Sequence, residues 1–272
     1  MRVEQLGEGH PELAIVAAIH GDEPCGVRAV DRLLGDESTV QRPVRLIVAN
    51  EKALAEGVRY VDTDLNRAFD EATSEDAHER DLAVELAEAV RGCTVLSIHS
   101  TRSAAKPFAI TSGLNDLARE IVPHLSVRAL VETGVNAEGR LFAAEADILE
   151  VEAGYQGSVE AAENAYRLAR EFLTATGAIA GETIAHDLEV YEQGEPVEKP
   201  PAEEYEVFAE NFVHVDAGET YAAVDGEGLA AEEGFDPILF SAYGYEHIFG
   251  YRGTFAGTLR TTEDGAATLT AD

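Results

Sequence analysis

Up to about residue 180, short continuous apolar runs alternate with longer stretches in which apolar residues recur every three to four positions. The first pattern is that of strands buried on both faces of a sheet, the second that of amphipathic helices covering it. Leu13–Ile19 is one such run, and it stops abruptly at His20. Gly21 permits a tight turn, and Pro24 suits the first turn of a helix over roughly residues 24–34. Arg42–Asn50 predicts a second strand centred on Leu46, Ile47 and Val48. Residues 51–75 are polar and irregular, and so long a connection is commonly functional or disordered. Leu82, Leu86, Ala89 and Val90 then share one face of a helix over 76–91 that Gly92 ends.

Thr94–His99 predicts a short strand that again terminates on a histidine. A strand at Phe108–Thr111 and a short helix over Leu114–His124 follow, whereas Val127–Thr133 fits neither pattern cleanly. Ala146–Gly154 is the next clear strand, sending Leu149 and Val151 to one face and Glu150 and Glu152 to the other. Ser158 caps a helix with the stripe Val159, Ala162, Tyr166, Ala169 and Leu173, ending near Gly177. Beyond about residue 180 the segments are short, alternating and broken by glycines and by the three prolines of Glu195–Glu204. The expectation is an α/β fold: residues 1–180 as a mainly parallel or mixed sheet with helices on both faces, and 181–272 as a smaller β-rich domain.

Composition narrows the setting. With 272 residues and 45% apolar content the chain can build a substantial core. Its net charge of −32 comes from 52 acidic against 20 basic residues, of which only Lys52, Lys106 and Lys199 are lysines. Acid in place of lysine is a halophile's pattern, and a halophilic archaeon is the expected source. Such a surface repels nucleic acid and anionic lipid, so neither is an expected partner. The acids are dispersed, which reads as solvation and not as a site. Cys25 and Cys93 provide no disulfide framework and suit a reducing cytosol. With no apolar run of about 18 residues and no secretory leader pattern, a soluble cytoplasmic protein is expected.

The candidate chemistry gathers at strand ends, where open α/β sheets bind their ligands. His20 and Glu23 are spaced to reach one metal ion, and His99 closes another strand. His/Glu/His with a fourth position open is the pattern of catalytic zinc. Cys25, beside them, reads as a small buried helix residue and not as a nucleophile. Within the long connection, Arg59–Phe69 (RYVDTDLNRAF) embeds two arginines among acids and aromatics.

Four motifs in this order, HGDE at 20–23, RYVDTDLNR at 59–67, the strand ending on His99, and EAGYQG at 152–157, resemble those of the succinylglutamate desuccinylase/aspartoacylase family, a branch of the carboxypeptidase-like zinc hydrolases. The resemblance covers about the first 160 residues. It implies a carboxypeptidase-like sheet and one zinc ion per chain on His20, Glu23 and His99. It further implies Glu152 as the proton shuttle, Arg59 as the residue stabilising oxyanion charge, and Asn66 and Arg67 as the clamp for a substrate α-carboxylate. DPILFSAYGYEHIFGY at 236–251 looks like the segment that contributes a pocket tyrosine, Tyr245 matching best and Tyr243 second.

Competing readings stand beside these roles. Arg59 and Arg67 could simply pair with Asp62, Asp64 or Asp70, and Glu150 shares a face with Glu152. Only Glu152 matches E-x-G-x-Q, which leaves Glu150 a solvated or structural carboxylate. The remaining histidines have no ligand-like spacing. The chain also departs from the family pattern: Ser97 stands where an aspartate commonly precedes the second metal histidine, and the family's arginine for an acidic group has no clear counterpart, Arg140 being nearest and Arg102 another candidate. The expected function is hydrolysis of an N-acyl amino acid, with N-acylated acidic amino acids foremost. Alternatives are a zinc carboxypeptidase acting on short peptides and a metal- or carboxylate-binding module without turnover. A homo-oligomer is compatible with the sequence.

Overall fold

The computed structural model describes residues 1–36, 40–70, 74, 76–134, 139–261 and 267–271. Its first strand, β1 (Arg2–Leu6), leaves little trace in the sequence because it sits at a sheet edge, antiparallel to one neighbour and largely in water. The buried run follows as β2 (Leu13–Ala17), then α1 (Cys25–Gly35), β3 (Val44–Val48), α2 (Glu51–Glu56) and α3 (His78–Val90). Next come β4 (Thr94–Thr101), β5 (Phe108–Thr111), α4 (Asp116–Ile121), β6 (Ala129–Glu132), β7 (Asp147–Tyr155) and α5 (Val159–Ala175). After α5 the regular elements are strands: β8 (Leu188–Glu198), β9 (Tyr205–Val207), β10 (Thr220–Val224), β11 (Glu227–Ala230), β12 (Asp236–Ile238), β13 (Ile248–Thr261) and β14 (Ala267–Thr270).

One sheet of 11 strands runs β1, β3, β2, β4, β7, β5, β6, β8, β13, β12, with β14 paired to β13. It is mixed, since β3, β2, β4 and β7 are parallel whereas β5 joins β7 antiparallel. The alternation of β2 explains why its run carries no polar face. Leu13, Ile15 and Ala17 pack with Ala29, Val30 and Leu33 of α1 and with α5, while Ala14 and Val16 pack with Leu82, Leu86 and Val90 of α3. Helices therefore cover both faces, as the sequence pattern predicts.

Several local expectations shift. Residues 51–75 are less irregular than expected: α2 forms because the Asn50 side chain accepts from Ala53 N–H at 3.1 Å, and Gly57, at φ 67°, ends it. Residues 71–73 and 75 of that segment lie outside the described residues. Val127–Thr133 supplies β6, and the helix expected to reach His124 ends at Ile121, followed by a 3₁₀ turn around Pro123. The buried stripe of α5 includes Ala165, Leu168 and Phe172, whereas Val159 in its first turn is exposed. Its Ser158 cap is present, accepting from Ala161 N–H at 3.0 Å. No helix among the described residues is long and apolar enough to cross a membrane.

The C-terminal part is β-rich. Strands β8, β13 and β12 extend the large sheet, and β9, β10 and β11 form a separate three-stranded sheet. A small aromatic core of Tyr221, Phe235, Phe240 and Phe249 lies there. The segment between Leu239 and Ile248 leaves this part to wall one side of a cleft at the carboxyl ends of β2, β4 and β7.

Candidate active site

Beyond β2 the chain turns sharply. Ala18 takes φ 53°, in the left-handed region that costs a residue with a Cβ, and Gly21 rests directly on α2. A Cβ on Gly21 would lie 2.1 Å from the carbonyl carbon of Ala53, so only glycine fits. His20 and Glu23 are thereby held in one buried turn, and β4 brings His99 to the same place. One ligand-capable atom from each lies within 4.8 Å of the others.

Glu23 is the hub of this cluster. Its Oε1 lies 2.9 Å from His20 Nδ1 and 3.2 Å from Arg59 Nη1, and its Oε2 lies 3.1 Å from His99 Nδ1 and accepts from Ser100 N–H at 3.1 Å. The opposite ring nitrogens are also engaged: His20 Nε2 with Asp64 Oδ1 at 3.0 Å, and His99 Nε2 with Ser97 Oγ at 3.1 Å. Two imidazoles showing Nδ1 to a shared carboxylate, each anchored through Nε2, are the donor set and outer support that suit a zinc ion. The buried groups also set one another's charge. Burial opposes charge on His20, but Glu23 and Asp64 outweigh it and raise its pKa to about 9. Burial likewise opposes ionisation of Glu23, which the two histidines nonetheless hold below the usual carboxylate range.

Glu152 stands beside it, its Oε2 buried with no hydrogen-bond partner among the described residues. Burial, reinforced by the negative charge of Glu23, raises its pKa to about 7. Gly154, at φ 128°, lets the strand pass against the Ala105 carbonyl just beyond it, where a Cβ would sit 2.8 Å from that oxygen. Glu150 is buried and not solvated, at 3% exposure. Cys25 is buried, and its thiol is pushed up to about 12 chiefly by that burial, as expected of a core residue and not of a nucleophile.

The segment from Arg59 to Arg67 forms the next wall. Arg59 does pair with Asp64, through Nε at 3.2 Å and Nη2 at 3.1 Å, while also reaching Glu23. Asn66 is buried, with Oδ1 accepting from Leu141 N–H at 2.9 Å and Nδ2 donating to Glu150 at 3.3 Å, so its amide is engaged within the protein. Arg67 is exposed in the same cleft and donates to the Asn66 carbonyl at 2.6 Å. Tyr245 and Tyr243 both reach the cleft, but Tyr243 is 59% exposed whereas burial raises the Tyr245 pKa. The whole is a cavity of about 540 Å³, the size of small-molecule sites.

Several further residues shape the cleft, some of them, Glu79 and Lys199, outside every motif, and Gln156 inside one without an assigned role. Glu79 of α3 is 0% exposed and accepts from Val61, Asp62 and Thr63 N–H at 2.7, 3.0 and 3.2 Å and from the Asn50 amide at 3.0 Å, pinning the Arg59–Arg67 segment. Gln156 bridges the Asp22 carbonyl (2.9 Å) to Arg102 Nε (2.7 Å), and Arg102 reaches the Tyr243 carbonyl at 3.3 Å. Lys199 holds the carbonyls of Ala242 (2.7 Å) and Tyr245 (2.5 Å). Arg140 is 5% exposed, lines the cleft, and leaves Nε without a hydrogen-bond partner among the described residues. The sequence signals were faint: a lone helical glutamate and arginine outside any motif.

Comparison with known proteins bears on the same region. The succinylglutamate desuccinylase/aspartoacylase catalytic-domain family matches residues 9–171. An aspartoacylase from Xenopus tropicalis is 38% identical over 80 residues, a match that covers 28% of this chain and only 26% of that protein. Among solved structures, succinylglutamate desuccinylase from Vibrio parahaemolyticus superposes with a TM-score of 0.72 at 17% identity, covering 98% of this chain and 89% of the other. The product-bound ectoine utilization protein EutE (DoeB) from Ruegeria pomeroyi gives 0.75 at 18% identity over 93% and 87%. Murine aminoacylase 3 gives 0.71 at 19% identity over 97% and 100%. At these identities the superpositions establish a shared fold.

Proposed function

Because this chain belongs to the succinylglutamate desuccinylase/aspartoacylase family of deacylases, we propose that it is a zinc-dependent hydrolase cleaving the amide bond of a small N-acyl amino acid. The observation that carries this reading is the convergence of His20, Glu23 and His99 in a cleft that also holds a carboxyl group, Glu152, with a pKa near 7. One zinc ion on those three residues would supply Lewis acidity for the acyl carbonyl and acidify the attacking water.

The chain's own residues do the rest. Glu152 takes a proton from water as the new C–O bond forms and negative charge moves onto the former carbonyl oxygen. Arg59, within 3.2 Å of Glu23, is placed to stabilise that charge. As the C–N bond breaks, Glu152 returns the proton to the leaving amine, giving a carboxylate and a free amino acid. Arg67 provides the guanidinium for the substrate α-carboxylate, with Asn66 shaping its setting through Glu150 and Leu141. Tyr245 closes the wall opposite.

Arg140 supports an acidic substrate. Its buried Nε has no partner among the described residues and is free to donate to a substrate carboxylate as its acceptor, and Arg102, the other candidate, is already held by Gln156 and Tyr243. We divide the chain functionally at residues 180/181: the first part carries the chemistry, and the second contributes Lys199, Tyr205, Leu239 and the 241–246 segment to the cleft. The charge of −32 supports a halophilic setting, and the free, buried Cys25 and Cys93 suit a reducing one.

The test is a screen of acetyl, succinyl and formyl amino acids with purified, zinc-loaded protein in high salt, measuring released amine. Acidic substrates should react fastest, and Arg140→Leu should remove that preference without lowering zinc content. Turnover of short peptides instead would favour a carboxypeptidase. Binding without amine release would leave a binding module.

A further inference from the structure

Glu150 is a nearly inaccessible carboxylate, and the chemistry above gives it no direct part. It lies two residues before Glu152 on β7, and the strand register pairs it with Ser97 of β4 just as it pairs Glu152 with His99. Residues two apart on a strand point the same way. Ser97, His99, Glu150 and Glu152 therefore form a two-by-two patch across neighbouring strands.

The contacts within the patch converge on one ring nitrogen. His99 Nε2 lies 3.1 Å from Ser97 Oγ and 3.9 Å from Glu150 Oε1. The second distance is too long for a hydrogen bond but short for a charge buried away from water. His99 is the one ion-pair partner of Glu150 among the described residues. The same Oε1 accepts from Asn66 Nδ2 at 3.3 Å. His20 offers the comparison within the molecule: its Nδ1 faces Glu23 and its Nε2 meets the Asp64 carboxylate directly. On His99 that place is divided, a neutral hydroxyl making the contact and a carboxylate from the next strand supplying the charge.

We propose that Glu150 is the positioning carboxylate of His99, acting together with the Ser97 hydroxyl. Ser97 Oγ accepts a hydrogen bond from Nε2–H, and the charge of Glu150 favours the tautomer that carries a proton there. The Nδ1 lone pair is then left facing Glu23, where a metal ion would be held. Through Asn66 the same carboxylate ties this arrangement to the segment bearing Leu141 and Arg140. The inference rests on the zinc reading given above.

Zinc affinity, measured by competition with a chromophoric chelator, tests it without reference to turnover. Glu150→Gln keeps the size of the side chain and removes its charge, and should weaken zinc binding about 10–100-fold. Adding Ser97→Asp to that variant places a carboxylate in direct reach of Nε2 and should restore the affinity, which a purely structural role for Glu150 would not allow. Wild-type affinity in Glu150→Gln, or a loss that Ser97→Asp fails to repair, overturns the proposal while leaving the zinc reading intact. If the wild-type protein itself binds no zinc, both fall. Should Glu150→Gln not fold, Ser97→Ala removes only the hydroxyl, and unchanged zinc affinity in that variant is equally decisive against it.

Discussion

His99 and Glu152 are direct register partners on the parallel strands β4 and β7. A slip of one residue would turn one of them to the opposite face of the sheet, so the pairing of a proposed metal ligand with a proposed proton shuttle is a property of strand register. Two outcomes separate their roles. Glu152→Gln should retain zinc and fold while activity falls about 10²–10⁴-fold; His99→Ala should lose the metal. Elemental analysis beside turnover distinguishes them, and parallel zinc loss in Glu152→Gln would make the glutamate a ligand or a structural support.

Arg59 and Arg67 should fail differently. Arg59 reaches Glu23 and in its proposed role stabilises the oxyanion charge, so Arg59→Ala should lower kcat by about 10²–10³-fold. In its proposed role Arg67 holds a carboxylate present before and during reaction, so Arg67→Ala should chiefly raise KM, by about 10–100-fold for a lost charge-assisted contact. Steady-state kinetics separate the two. Substrates lacking the α-carboxylate that react as well as complete ones would show Arg67 to be misassigned.

The parts of the site that were legible in the sequence are those tied to strand ends. His20, Glu23 and His99 follow apolar runs, and Glu152 sits where a strand alternation meets a glycine motif. The burial of Glu79, Glu150 and Arg140 was not legible. Among 52 acidic residues a glutamate on α3 reads as surface, and only the path of the 61–63 backbone reveals it as an acceptor. Glu150 gains its contacts from β4 and from Asn66, far away in sequence. The edge strand β1 and the helix α2 were hidden for a related reason: one side of β1 faces water, and α2 is barely two turns long with a single buried residue, Ala53.

Glu79 should matter to stability in a pH-dependent way. Burial alone would raise its pKa, but the backbone N–H groups of Val61, Asp62 and Thr63 and the Asn50 amide hold it below the usual carboxylate range. A depressed folded-state pKa means stabilisation that is present above the unfolded value and lost as pH falls through the folded one. Glu79→Ala should therefore cost about 2–3 kcal/mol near pH 7, through stranded buried donors. The gap from wild type should narrow as pH falls below about 4.5. Denaturant melts at several pH values check this, and a gap that stays constant argues against an ionised Glu79.

Salt should stabilise the fold. A net charge of −32 with three lysines leaves carboxylate repulsion to be screened by solvent ions, and the Debye length shrinks from about 10 Å at 0.1 M to about 3 Å at 1 M salt. The thermal midpoint should rise steadily from low to molar salt. A flat or falling midpoint would sink the idea.

Zinc binding should be strongly pH-dependent, because proton and metal compete for the same nitrogens. Burial disfavours a charged His20, yet Glu23 and Asp64 bring its pKa to about 9, and His99 is raised as well, by Glu23 and Glu150 against its own burial. At neutral pH the metal-free His20 thus carries a proton that zinc must displace. Apparent affinity should climb by up to about tenfold per pH unit for the proton displaced from His20 and level off as pH approaches and passes 9, with proton release on binding. Calorimetric titrations in buffers of different ionisation enthalpy measure both quantities. An affinity that does not change across this range, with no proton released, would mean that zinc is not taking the place of a proton on His20.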